Sequence, residues 1–204
     1  ASIGDALYLA QFYCNDTSGN VNGSESVGFR IDNIAPILYL KAPANNTFTN
    51  KVSGYTWSWN ISDDFQSHPD NSTLYWWNSS KSLINTYFSE HSGASGHWNS
   101  DYMAYSLPYD DVFEWNVWGC DNAGNCNWTM GGNWTITRNT DAPNVTVNSP
   151  LNQTYATTTL IFNVTAVDET GMGGCWVTLN SGVDNFTMLN ISTVSYTHLT
   201  LPTN

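Results

Sequence analysis

Three segments of this chain recur in the same order at nearly the same spacing, and that repeat limits the possible folds more than any other feature. Phe12–Asn22 (FYCNDTSGNVN) aligns without gaps on Val117–Asn127 (VWGCDNAGNCN) at an offset of 105, so that Asp16/Asp121, Gly19/Gly124 and Asn20/Asn125 coincide. Ile34–Phe48 aligns with Asp141–Tyr155 at an offset of 107, matching Ala35-Pro36 to Ala142-Pro143 and Pro43 to Pro150. Thr56–Asp64 aligns with Ile161–Glu169, again at 105. A unit of about 106 residues in a chain of 204 leaves room for one complete copy between two incomplete ones.

Within the unit, apolar residues alternate with polar ones between clusters of turn formers. Trp57, Trp59 and Ile61 share one phase, and Phe113, Trp115 and Val117 another, the period of half-buried strands. NDTSGN, APANN and DNAGN combine residues that tolerate positive φ or bond their own backbone. No stretch of 11 or more residues carries a helical period. The expectation is an all-β protein built of tandem immunoglobulin-like antiparallel β-sandwiches, one complete and two partial. Residues 1–34 read as the last strands of one domain, 35–141 as a complete domain and 142–193 as the first strands of a third. Strands are expected over Ile37–Lys41, Tyr55–Ile61, Thr73–Trp77, Leu83–Phe88, Tyr102–Leu107, Val112–Cys120 and Asn127–Thr137. Val194–Asn204 resembles translated sequencing-adapter read-through and is set aside as a non-native tail, the other reading being a strand with a polar end.

Composition then excludes whole classes of function. Seventeen acidic residues face five basic ones, a net charge of −12, which denies a nucleic acid the basic footprint it needs. The same balance disfavours an anionic membrane surface, and no run of 18 apolar residues suggests membrane insertion. With 29 Trp, Tyr and Phe together the chain can build a core rather than remain disordered.

The order D-x-x-G-N (Asp121–Asn125), D-A-P (Asp141–Pro143), SP-x-N-x-T (Ser149–Thr154) and a Val- or Trp-rich strand ending in Asp resembles the tandem immunoglobulin-like repeats of large archaeal and bacterial cell-surface proteins. Cys175-Trp176 after a glycine-rich turn resembles their third strand. The resemblance spans residues 1–193 and implies an extracellular, cell-surface or secreted setting. Its implied partners are neighbouring repeats of the same chain, together with cell-surface proteins or glycans. It also implies a bridge between the Cys14 position and a third-strand cysteine, the place of Cys175, with Thr73 as counterpart in the middle repeat. Cys14 and Cys175 then have partners missing from this fragment. Cys120 stands one residue beyond the Cys14 position, hence on the opposite face, and a five-residue turn lets it bond Cys126.

Sequons occur at Asn15, Asn22, Asn45, Asn60, Asn71, Asn78, Asn127, Asn133, Asn144, Asn152, Asn163, Asn185 and Asn190. Chance would supply about five or six in a chain so rich in Ser and Thr, so N-glycosylation is expected. Asn60 and Asn163, each between inward apolar residues, should face solvent. Asp63-Asp64, Asp70 and Asp121 are placed to meet near Asp32 at a domain junction. They could ring a calcium ion, or simply begin turns.

No cofactor motif occurs. Glu90, His91 and His97 lie in a Ser/Gly-rich stretch unlike a preorganised site, no nucleophile or zinc motif is present, and the chain reads as non-catalytic. Trp57, Trp59, Trp115 and Trp118 read mostly as core. Tyr75-Trp76-Trp77 cannot all point inward, so Trp76 is expected on the surface beside His97-Trp98, where the strip could stack on sugar rings or be covered by the Ser80–Ser106 excursion. Two functions follow: a structural stalk or adhesion module, or a carbohydrate-binding accessory domain of a secreted enzyme.

Overall fold

The computed structural model describes residues 3–63, 67–91, 97–98, 103–157, 159–192 and 195–200. Among them every regular element is a strand, and the chain divides into two compact units, Ala1–Asn139 and Thr140–Asn204.

The first unit opens with an antiparallel ribbon, β1 (Ala6–Asn15) and β2 (Val21–Ile31), joined through the turn that begins at Asp16. The middle repeat follows as β3 (Ile37–Ala42), β4 (Thr47–Thr49), β5 (Tyr55–Ser62), β6 (Pro69–Trp77), β7 (Leu83–Glu90), β8 (His97–Trp98), β9 (Met103–Tyr105), β10 (Asp111–Asp121), β11 (Cys126–Trp128) and β12 (Trp134–Arg138). One of its sheets runs β4-β12-β10-β6-β7, with β11 on β10; the other runs β3-β5-β8, with β9 on β5. The β4–β12 pair is parallel, Thr47 to Thr49 lying beside Ile136 to Arg138. Asn127–Thr137, expected as one strand, is instead β11 and β12. The break falls at Gly131 and Gly132, both at positive φ, where β structure cannot continue.

The two sheets share one core. Leu38, Trp57, Trp59 and Ile61 come from the first strands, and Leu74, Trp76, Phe113, Trp115, Val117 and Ile136 from the other sheet; all are fully buried. Trp57 stacks on Trp76 at 5.8 Å and meets Trp115 edge-on at 5.0 Å, arrangements that suit the ring quadrupole. Gly119 on β10 opposes Ser72 on β6, and a Cβ there would lie 2.6 Å from Ile61 and 2.8 Å from Leu38.

The second unit comprises β13 (Asn144–Ser149), β14 (Ile161–Val167), β15 (Trp176–Val177), β16 (Phe186–Thr187), β17 (Leu189–Ser192) and β18 (Ser195–Thr200). Its sheets are β13-β14-β18-β17 and β15-β16, so the segment read as a non-native tail pairs here as a strand. The sequence repeat reappears as pairing register. Leu38 opposes Ile61 and Leu40 opposes Trp59, as Val145 opposes Ala166 and Val147 opposes Val164. These are the partners that the offsets of 107 and 105 relate.

Candidate functional site

The linker between ribbon and middle repeat is the best-built polar site. Asp121, only 2% exposed, accepts hydrogen bonds at Oδ1 from the amides of Ala123 (2.8 Å) and Asn125 (2.9 Å), and at Oδ2 from the Asn125 side chain (2.9 Å). Gly124, at φ +90°, closes the turn. With its own amide group so fixed, Asn125 donates Nδ2–H to the Asp32 carbonyl at 3.1 Å, pinning the incoming linker. The turn at Asp16 has the same internal pattern: Oδ1 accepts from Ser18 and Asn20 amides, Oδ2 from the Asn20 side chain at 2.7 Å. The Asn20 side chain, followed by these amides, holds the Asp16 carboxyl below the usual carboxylate range.

Asp32, Asp63 and Asp121 bring one carboxylate oxygen each to within 4.8 Å of one another. Asp70 stands apart from them and accepts from the Asn71 side chain, and Asp64 lies outside the described residues. Ser67, a residue the sequence reading overlooked, sits between Asp32 and Asp63 within hydrogen-bond reach of both, and its single proton can serve only one. Hard carboxylate oxygens suit calcium in kind, and Asp32 and Asp63 would hold it. Three side chains fall short of its six to eight ligands, however, and the Asp121 carboxylate is already engaged by three N–H groups. Three anions this close repel. In EDTA, Asp32→Asn is therefore expected to raise the stability of the first unit by about 1 kcal/mol, read by thermal melting. A cation held by the cluster would reverse the order in millimolar calcium.

Cys120 and Cys126 face each other across β10 and β11 and are bonded; Cys14 is an exposed thiol and Cys175 a half-buried one. Burial raises the Cys175 thiol. Thr73 does not occupy the place expected of it. It opposes Trp118 on the outer face, whereas Ser72 is the inward residue opposite Gly119, the Cys14 equivalent. Ser72 accepts from Trp59 Nε1 at 2.9 Å and contacts His91 Nε2 at 2.8 Å. His91, read as part of a polar loop, is thus fully buried.

Trp76 corrects the surface reading outright: it is fully buried in the core. Strand alternation puts Tyr75 and Trp77 outward instead, and the signal was Leu74, which shares the phase of Trp76. Trp118 likewise faces outward, over the same side as Trp128. Tyr75, Trp77, Trp118 and Trp128 form an outer aromatic cluster, but its rings turn on one another. Tyr75 and Trp77 lie parallel at 5.9 Å, and Trp128 leans over both and over Trp118 at 5.2–6.3 Å. Only Tyr75 and Trp77 lie face to face, and Trp128 meets them and Trp118 at 50–60°, so the four rings share no common plane of the kind a flat sugar-binding strip would need. The Trp98 side chain lies outside the described residues.

Eight sequon asparagines are exposed (Asn15, Asn22, Asn45, Asn127, Asn133, Asn144, Asn152 and Asn185). Asn60, Asn71, Asn78 and Asn163 are half-buried, so the two expected in solvent are partly covered. The Asn190 side chain lies outside the described residues. No protein-family model, no curated protein and no solved structure matches this chain.

Proposed function

We propose that this chain is a non-catalytic run of immunoglobulin-like repeats from an extracellular protein, serving as a structural stalk or adhesion module. The observation that carries this reading is the clamp at the linker. A D-x-x-G-N turn, built twice with the same hydrogen bonds, uses its last asparagine in the middle repeat to hold the chain arriving from the β1–β2 ribbon. That device is useful where units follow one another in series. Support for the fold comes from the strand order β4-β12-β10-β6-β7 facing β3-β5, which is how an immunoglobulin-type sandwich divides its strands. Support for the setting comes from the exposed sequons and the disulfide. The partners on this reading are adjoining repeats and, for an adhesive role, proteins or glycans of another surface. A carbohydrate-binding accessory role draws little help from the outer aromatic rings, which are tilted against one another rather than aligned in one plane.

Asn125→Ala tests the clamp. Limited proteolysis between residues 32 and 36 is expected to accelerate several-fold, while the melting of the middle repeat moves by about 1 kcal/mol. Unchanged cleavage would leave the linker free of the turn and remove the main support for a serial array. The setting is tested separately, by expression in a glycosylating secretory host, where amidase treatment is expected to shorten the apparent mass by several glycans.

A further inference from the structure

Four sequons border one face of the middle repeat. Along β6, Asn71 shares the outward phase of Tyr75 and Trp77, and Asn78 follows Trp77 directly. Asn127 precedes Trp128, and Asn133 comes just ahead of β12. The face they border is the outer aromatic cluster, whose most exposed ring is Trp128 at 39%.

Asn133 is the sequon built into that cluster. Its Oδ1 accepts from Asn116 Nδ2 at 2.8 Å, and its Nδ2 donates to Glu114 Oε2 at 3.1 Å. Asn116 is fixed in turn. Its Oδ1 accepts from the Val117 amide at 2.7 Å and from the Thr129 hydroxyl, and the residue is only 4% exposed. Glu114 pairs with Lys81 through Oε1. The Lys81 bond, followed by that from Asn133, holds the Glu114 carboxyl below the usual range, so it stays an acceptor at neutral pH.

Strand register places these groups among the rings. Glu114 stands opposite Trp77 and Asn116 opposite Tyr75 on β6, while on β11 Trp128 stands opposite Trp118. Trp115 pairs with Trp134, so Asn133 lies beside Asn116, one outward position or about 7 Å from the row of Trp118 and Trp128. Trp134 itself meets Trp115 edge-on at 5.7 Å. Asn133 therefore emerges exposed beside the Trp128 ring, with its amide already oriented.

We propose that the outer aromatic cluster is the seat of the chain's own N-glycan, the first sugar on Asn133 lying against the exposed face of Trp128. This deepens the glycosylated, extracellular reading and rests on it. Attachment forms an Nδ2–C1 bond and breaks the C1–O bond to a lipid-diphosphate donor, and one Nδ2 proton leaves with the diphosphate. The remaining Nδ2 hydrogen still serves Glu114 and Oδ1 still accepts from Asn116, so both anchoring bonds survive the modification. A pyranose with equatorial substituents presents a face of axial C–H groups, slightly positive against the negative face of an indole. One sugar needs one ring and no shared plane, so the tilts within the cluster do not oppose it. Covalent attachment supplies the sugar at high effective concentration, and a contact too weak to hold a free ligand then suffices. A second copy is the competing occupant of this face, and glycans on the bordering sequons would stand between two copies.

The full-length chain is expressed in a secretory host that adds high-mannose glycans, which an endoglycosidase trims to single N-acetylglucosamine residues. Peptide mass spectrometry is expected to find Asn133 occupied. Asn133→Gln should lower the folding constant of the middle repeat about fivefold more in this protein than in the bacterial, unglycosylated one, where only the amide bonds are lost. In a Trp128→Ala background that excess should fall below about twofold. The C–H proton resonances of the sugar on Asn133 should lie upfield through the indole ring current and return in Trp128→Ala. Trp128→Leu keeps apolar bulk without a π face and gives the same readouts should the alanine variant fail to accumulate. An Asn133 left bare while other sequons are occupied overturns the proposal. So does a sugar whose contribution and shifts are the same with and without Trp128, or a dimer of the glycosylated chain that Trp128→Ala abolishes. A chain with no glycan at any sequon fails the glycosylation reading itself, and the proposal with it.

Discussion

Trp76→Ala is expected to destabilise the middle repeat by about 3–5 kcal/mol, the range for removing a fully buried large aromatic side chain. Trp76 stacks on Trp57, which in turn meets Trp115 edge-on, so truncation opens a cavity at the centre of an aromatic chain that neighbours cannot close without leaving their rotamers. Against a typical domain stability of 5–15 kcal/mol this is a large fraction. Trp128→Ala is the control, since Trp128 lies on the outer face and is 39% exposed. Its loss should cost about 1 kcal/mol. Urea unfolding of both variants gives the comparison, and Trp76→Phe, which keeps a ring in place, provides a folded reference should the alanine variant fail to accumulate. Equal effects at the two positions would contradict the assignment of inner and outer faces.

Gly119→Val is expected to cost about 3 kcal/mol, at the upper end of what overpacking a closed core imposes. Leu38 and Ile61 already occupy the space a side chain would enter, and both are fully buried. Gly119→Ala should fall between the two proteins, because the same neighbours must yield less. The measurement is again denaturant unfolding, and a valine variant as stable as the parent would show that this part of the core holds slack. The position explains a feature of the sequence. The Cys14 equivalent in the middle repeat has no room for sulfur, and its cysteine stands one residue later, on the outer face, bonded across the turn to Cys126.

The repeat was legible because it is written in identity at fixed spacing, and it transfers directly into the pairing of Leu38 with Ile61 and of Val145 with Ala166. The D-x-x-G-N turn was legible for a related reason: its hydrogen bonds are local, so sequence neighbours are structural neighbours. Trp76 failed where three adjacent aromatic residues hid the strand phase, which only the flanking Leu74 and Ser72 reveal. Ser67 could not have been found at all. It joins Asp32 and Asp63 through a loop, and nothing in its own sequence neighbourhood encodes a partner 35 positions away. Thr73 was misplaced by one residue, enough to move it from the inner face to the outer, because the loop after Asp63 differs in length from the loop after Asp168.

The parallel pairing of β4 with β12 has a mechanical consequence. Chain enters the middle repeat ahead of β4 and leaves it after β12, so tension along the polypeptide draws the two strands past each other along their length. Their hydrogen bonds then carry load together in shear, where a hairpin pulled from its open end would surrender them one by one. A repeat joined this way resists extension at β4 and at its last strand, β12, with β3, paired antiparallel to β5, lying ahead of β4 along the chain.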